Sequence, residues 1–145
     1  MDESSNGEAG PTAGAKIMRQ FLPTSPFVRH LGLRLEAMGP DTATLVLPFA
    51  DPLVTIGATV HGGAIATLID TAAMVAAWSS DDVPETPRGS TVGISIAYLA
   101  PATAEDLRAV ATVLRRGRSL VYLDVEVRVA SGTLVAKGLV TYKLG

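Results

Sequence analysis

The stretch HGGAIATLIDTAAMVAAWSS, residues 61–80, determines how the rest of the chain must fold. Its apolar side chains recur at spacings of three and four residues, which predicts a helix. Asp70 is its only Asp, Glu, Lys or Arg, and steps of 100° per residue place it about opposite the main apolar stripe, among small or uncharged side chains. A helix that is apolar on all sides is buried, so the Asp70 carboxyl must be neutral, hydrogen-bonded or functional.

The start of this helix is the second feature with chemical meaning. Gly62 and Gly63 place backbone N–H groups, without side chains, where the helix dipole is positive. Such an end attracts developing negative charge. His61 and Asp70 are nine residues apart, which puts them on opposite sides of the helix and ~13 Å apart along its axis. His61 is therefore predicted to cap or orient the helix start, and not to form a dyad with Asp70.

Length and composition narrow the class of protein. The 145 residues fit one domain, and the net charge of −2 argues against a nucleic-acid partner. The absence of cysteine excludes disulfides and a thiol nucleophile. His30 and His61 lie in different segments, so no metal site is expected. The acidic start MDESSNGEAG has no signal-peptide pattern, and no stretch reads as a membrane span. We therefore expect a cytoplasmic protein.

The remaining chain is mostly strands, recognised by alternating apolar residues such as Val92, Ile94, Ile96 and Tyr98. A tail of residues 1–14 is predicted to be disordered, followed by a single domain over residues 15–145. A short helix is predicted after Ser25-Pro26. Six strands in the order ββαββββ around one buried helix predict an α+β fold with a curved antiparallel sheet. They are predicted at residues 31–37, 42–49, 91–100, 107–114, 120–129 and 134–144.

A family resemblance rests on three motifs. HGG at residues 61–63 is followed by an acid nine positions after the histidine, a later strand ends in YLAPA at residues 98–102, and GRS occupies the turn at residues 117–119. From Leu31 to Leu144 the chain resembles the hotdog-fold thioesterases of the phenylacetyl-CoA (PaaI-type) and 4-hydroxybenzoyl-CoA group. The resemblance implies a hotdog fold of about six strands wrapped around one long central helix. It also implies hydrolysis of an aromatic or medium-chain acyl-CoA without a cofactor.

Particular residues take roles from this resemblance. Asp70 matches the general base or nucleophile of the family, and the Gly62 N–H matches the group that polarises the thioester carbonyl. His61, Gly63 and Thr91 fall in the substrate-binding region. At residue 55 many relatives carry asparagine. Thr55 of this chain is a candidate to bind substrate, because its hydroxyl could orient the thioester or a water, but it cannot donate as an amide does. In the turn after residue 114, Arg118 is a candidate partner for the phosphates of coenzyme A.

The spacing of Gly62 and Asp70 predicts a homodimer. Eight residues on one helix separate them by ~12 Å, too far for one to hold a carbonyl while the other attacks it. Two antiparallel copies of the helix, related by a two-fold axis near Ala66, would bring Gly62 of each beside Asp70 of the other. A dimer of such dimers, a homotetramer, is expected. Two alternatives are a noncatalytic acyl-CoA-binding protein and a hotdog hydratase.

Overall fold

The computed structural model describes residues 10–145, so residues 1–9 of the predicted tail lie outside it. The first helix begins at Ala13, so the predicted domain start at residue 15 falls inside that helix. A 3-10 turn, Leu22–Thr24, follows it. The helices are α1 (Ala13–Phe21), α2 (Pro26–Leu31) and α3 (Gly62–Trp78), and the strands are β1 (Arg34–Gly39), β2 (Thr42–Leu47), β3 (Val54–Ile56), β4 (Thr59–Val60), β5 (Gly89–Tyr98), β6 (Leu107–Arg116), β7 (Leu120–Val129) and β8 (Leu134–Leu144).

One antiparallel sheet contains the six predicted strands, in the order β1-β2-β6-β7-β8-β5. The predicted α+β hotdog architecture is confirmed. Several local predictions differ from the structure. Strand β2 ends at Leu47 instead of residue 49, β5 spans Gly89–Tyr98 instead of 91–100, and β6 continues to Arg116 instead of residue 114. The stretch 51–60, predicted as a loop, contains the small β3–β4 hairpin. The first strand starts at Arg34 instead of Leu31, because α2 continues to Leu31 and ends at Gly32, whose φ of 72° suits glycine.

Helix α3 crosses the concave face of this sheet and packs against β2, β6, β7 and β8. Leu68, Ile69 and Val75 have no exposed surface. On β8, a Cβ at Gly138 would lie 2.7 Å from the Cγ2 of Ile69, so a residue with a side chain would push the helix off the sheet there. The all-round apolar character of the helix therefore corresponds to burial on nearly every side.

The end of α3 is held by groups distant in sequence. The Gly14 N–H in α1 donates to the Ser80 carbonyl at 3.0 Å. Arg116 at the end of β6 donates to the Ala77 carbonyl at 2.8 Å and pairs with Asp41 at 2.8 Å. A guanidinium at this end also complements the negative pole of the helix dipole. These contacts fix the direction of α3 and so the positions of its polar groups.

Strand β5 forms one edge of the sheet, and much of its apolar surface is exposed. Val92, Ile94 and Tyr98 are 55%, 44% and 53% exposed. A ten-residue edge strand with open backbone groups is a natural site for pairing with another strand. Within residues 10–145, no helix is long and apolar enough to cross a membrane.

Candidate active site

Most of the backbone N–H groups at the start of α3 have a hydrogen-bond acceptor in the part of the chain that the structure describes, and one does not. His61 is the N-cap, as predicted, and its Nδ1 accepts from the Gly63 N–H at 2.7 Å. Its carbonyl accepts from the N–H groups of Ala64 and Ile65. Within residues 10–145 this leaves the Gly62 N–H as the one donor of the first turn without an acceptor. Gly62 therefore offers a free donor at the positive end of the helix dipole.

Tyr98, at the end of β5, covers the backbone of Gly62. Its hydroxyl donates to the Gly62 carbonyl at 2.8 Å, and a Cβ on Gly62 would lie 3.4 Å from the tyrosine ring. The two residues line one side of a cleft of about 350 Å³. Sequence reasoning did not assign Tyr98 a functional role, although it opens the YLAPA run. A molecule in this cleft would lie beside the Gly62 backbone.

Asp70 lies two turns further along α3 and is half-buried. The Thr91 hydroxyl on β5 donates to its Oδ1 at 2.5 Å. Among the described residues, this is the one hydrogen bond that the Asp70 carboxyl receives from a side chain. One carboxylate oxygen is thereby oriented and the other is free, which suits a group that must accept a proton or attack a carbon.

Tyr142 on β8 stands directly across from Thr91 in the sheet register. Burial raises the pKa of the Tyr142 hydroxyl, and the nearby negative charge of Asp70 raises it further, against a hydrogen bond from Trp78 that lowers it. The Trp78 Nε1–H donates to the Tyr142 oxygen at 3.0 Å. Because the indole can only donate, the phenolic hydrogen must point elsewhere.

A cavity of about 190 Å³ opens beside this pair. Met74, one helical turn after Asp70 and on the same face of α3, lines it. A side chain at Gly89 would collide with the Tyr142 hydroxyl, since its Cβ would lie 2.3 Å away. Glycine therefore leaves room for the phenol at the cavity wall. The other lining residues are mostly apolar: Ile17, Met18, Phe21, Trp78 and Pro87.

The two remaining predicted site residues lie outside these contacts. Thr55 is on β3 and exposed, and its hydroxyl forms no hydrogen bond within residues 10–145. Arg118 is exposed in the β6–β7 turn, beside a cleft of about 250 Å³ that Ser119 and Leu144 also line. Its neighbour Arg116 is occupied by Asp41 and the end of α3. Of these two arginines, only Arg118 is therefore free to meet a ligand.

Comparison with known proteins assigns the family. A family model described as Thioesterase superfamily matches residues 57–136, which include both Gly62 and Asp70. The chain belongs to the thioesterase superfamily. It is a thioester hydrolase with the hotdog fold.

Three relatives show how far this similarity extends. The thioesterase is 28% identical to human acyl-coenzyme A thioesterase 13, over 90% of this chain and 93% of that protein. It is 29% identical to YigI of Escherichia coli K12, a medium/long-chain acyl-CoA thioesterase, over 89% and 92% of the two chains. The structure of the E. coli PaaI protein from the phenylacetic acid degradation operon superposes with a TM-score of 0.81, at 18% identity, over 94% and 96%. The likeness to PaaI concerns the fold alone.

Proposed function

We propose that this thioesterase hydrolyses acyl-CoA to a free acid and coenzyme A at a site shared by two copies of the chain. In this proposal the Gly62 N–H of one copy binds the thioester oxygen, and Asp70 of the other activates the attack. Two relatives named as acyl-CoA thioesterases support the substrate class. The observation that carries the proposal is that Gly62 offers a free N–H while Asp70 is oriented by Thr91, ~12 Å away along the same helix.

Strand β5 supports the two-fold arrangement. Its Thr91 contacts Asp70 and its Tyr98 contacts Gly62, so the strand contacts both residues on which the proposed reaction depends. The midpoint of residues 91 and 98 lies between Ile94 and Ser95, and the midpoint of residues 62 and 70 is Ala66. If two β5 edges paired antiparallel about that midpoint, each Thr91 would approach the other copy's Tyr98, and each Asp70 the other copy's Gly62. Pairing would also cover the exposed apolar side chains of β5.

The chemical steps follow from this arrangement. Negative charge grows on the thioester oxygen when the carbonyl carbon is attacked, and the Gly62 N–H and helix dipole stabilise it. In one route Asp70 takes a proton from water while the water oxygen bonds to the carbon. The carbon–sulfur bond then breaks, and the leaving thiolate takes that proton from Asp70. In the other, an Asp70 oxygen attacks to give an anhydride that water then cleaves. A single turnover in isotope-labelled water that leaves label in the Asp70 carboxyl would establish the anhydride route, because only water attack at the Asp70 carbonyl of an anhydride puts a water oxygen in the protein.

The cavity lined by Met74 and Tyr142 is proposed as the acyl site. Its lining residue Met74 lies one helical turn from Asp70, and its walls are mostly apolar. An apolar cavity of ~150 Å³ holds a benzene molecule, so one of about 190 Å³ suits a single ring or a chain of roughly six to eight carbons. This size favours phenylacyl and medium-chain acyl groups over long saturated chains. The cleft beside Arg118 would then receive a phosphate of coenzyme A.

We propose a dimer of dimers because the outer face of the sheet exposes apolar side chains. Leu114, Tyr122 and Leu139 are exposed there and adjoin Gly93 and Ser95 of β5 in one shallow apolar depression. This surface is continuous with the proposed β5 pairing, so a second dimer could cover it. Molar mass in solution tests the prediction: Leu139→Lys should convert a tetramer to a dimer without loss of hydrolysis per chain.

A panel of thioesters tests the reaction. Wild-type protein and Asp70→Asn are incubated with phenylacetyl-, octanoyl-, palmitoyl- and crotonyl-CoA, and free thiol is measured. Release by the wild type but not by Asp70→Asn supports the proposal. Binding without release would indicate an acyl-CoA-binding protein, and hydration of crotonyl-CoA without thiol release would indicate a hydratase. Asp70→Asn should fold normally, because the asparagine Oδ1 still accepts the Thr91 hydrogen bond.

A further inference from the structure

A second groove lies beside α1 and shares no lining residue with the cavity that α1 helps to form. It has a volume of about 430 Å³ and is enclosed by α1, the 3-10 turn, α2 and the start of β1. Its floor is aliphatic, and three arginines surround it. The floor residues are Leu22, Pro23, Val28, Leu33 and Leu35, and the surrounding residues are Arg19, Arg29 and Arg34.

Among residues 10–145, the lining of this groove carries three arginines and no acid. The sequence from residue 10 to residue 35 contains no Asp or Glu, although the whole chain has a net charge of −2. Among the described residues, the guanidinium groups of Arg19, Arg29 and Arg34 form no ion pair. Glu36, the acid beside Arg34, is held by Arg108 through two hydrogen bonds of 2.6 and 2.7 Å. That contact lowers the pKa of the Glu36 carboxyl, with a smaller effect from Arg34.

The groove is lined by residues other than those of the proposed active site. It uses β1, which forms one edge of the sheet, whereas Thr91 and Tyr98 are on β5 at the other edge. None of its lining residues lines the cleft at Gly62 or the cavity beside Met74.

We infer that this groove binds an anionic amphiphile, a fatty-acid carboxylate whose tail lies on the aliphatic floor and whose head meets the arginines. An apolar floor favours transfer of hydrocarbon from water, and guanidinium groups pair with carboxylates through charge-assisted hydrogen bonds. Among the described residues that line the groove, none has an aromatic ring on which a nucleotide base could stack, and none has a side-chain amide or hydroxyl that could hydrogen-bond to it. Those absences favour a fatty acid over the nucleotide of coenzyme A.

Calorimetric titration with dodecanoate tests this site in the full-length protein. The double variant Arg29→Gln/Arg34→Gln removes two of the three head-group partners and leaves the floor intact. Lys143→Gln is the matched control, because Lys143 is an exposed cation on β8 that forms no ion pair among residues 10–145. Dodecanol, with the same tail and no charge, and coenzyme A serve as comparison ligands.

Dodecanoate should bind at least tenfold more weakly to the double variant and unchanged to Lys143→Gln. Dodecanol should bind the wild type at least tenfold more weakly than dodecanoate. From octanoate to dodecanoate, affinity should rise about two- to fourfold per methylene. Equal dodecanoate affinity in the two variants, equal affinity for dodecanol, or a loss confined to coenzyme A would each overturn the inference. Since the measurement is binding, it does not depend on the proposed hydrolysis.

Discussion

Replacement of Gly62 by proline isolates the backbone N–H on which the proposed chemistry depends. Gly62 is the first residue of α3, where proline is favoured because the missing N–H has no helical partner. His61 before it has ψ of 135°, the extended conformation that a residue preceding proline adopts. Within residues 10–145 the Gly62 N–H has no acceptor, so the substitution breaks no hydrogen bond of the described fold.

Gly62→Ala is the matched control. A Cβ at Gly62 lies 3.4 Å from the Tyr98 ring, an ordinary contact, and alanine keeps the N–H. Loss of one oxyanion donor typically lowers kcat by ~10²–10³-fold, about 3 kcal/mol. We expect that loss for Gly62→Pro and less than ~10-fold for Gly62→Ala. The thermal midpoint of both should stay within ~2 °C of wild type, because neither creates a cavity or an unpaired buried group.

Mixed dimers test whether Gly62 and Asp70 act across two copies. Gly62→Pro and Asp70→Asn, each with a different affinity tag, are co-expressed and assayed by thiol release. A mixed dimer holds one site with both wild-type groups and one with neither. Random pairing makes about half of the dimers mixed, so activity should recover to ~25% of wild type. The control pairs Asp70→Asn with the double variant Gly62→Pro/Asp70→Asn, in which no site is complete.

Three results would refute this reasoning. Wild-type activity in Gly62→Pro would remove the N–H from the mechanism. An equal loss in Gly62→Ala would assign the effect to the added side chain. Activity no higher than that of the control pair, in mixed dimers purified through both tags, would exclude the shared site.

Substitutions at four further positions test the rest of the proposed site. Thr91→Val removes the hydrogen bond that orients the Asp70 carboxylate, so kcat should fall ~10-fold. Thr91→Ser keeps the hydroxyl and should keep kcat near the wild-type value. Met74→Trp narrows the cavity, so kcat/KM for octanoyl-CoA should fall more than for acetyl-CoA. Arg118→Ala should raise KM for an acyl-CoA but not for the corresponding acyl-N-acetylcysteamine, which lacks the nucleotide. Burial raises the pKa of Tyr142 above its ordinary value of 10.0, so the folded state keeps a proton that the unfolded state loses, and stability falls as pH rises above ~10. Melting curves from pH 9 to 11 should show a shallower fall for Tyr142→Phe.

The helix and the strands were largely predictable because their patterns are local. A helix that is apolar on every side must be buried, whatever surrounds it, and α3 begins and ends within two residues of the predicted stretch 61–80. Alternation with a period of two gave β7 and β8 their observed bounds. Asp70 was a candidate catalytic residue for the same reason, because burying an isolated carboxylate on such a helix costs free energy unless the group is paired or functional.

The position of Thr91 shows what local pattern leaves undecided. Strict alternation from Ile94 would turn Val92 toward the helix and Thr91 toward solvent. A register shift between Thr91 and Gly93 reverses this, so that Thr91 pairs with the buried Tyr142 and reaches Asp70. A bulge adds one residue without changing the residue types, so the period of the sequence does not reveal it.

Sequence by itself determined the elements, the buried helix and the isolated acid, because backbone periodicity and burial act over a few residues. Only the tertiary structure decided which N–H of the helix start is free, how Asp70 is held and where the two apolar sites lie. The Trp78–Tyr142 hydrogen bond joins residues 64 positions apart, and the Arg108–Glu36 pair residues 72 apart. Such contacts depend on strand register and on how α1 packs across α3, and no short stretch of the chain contains that information.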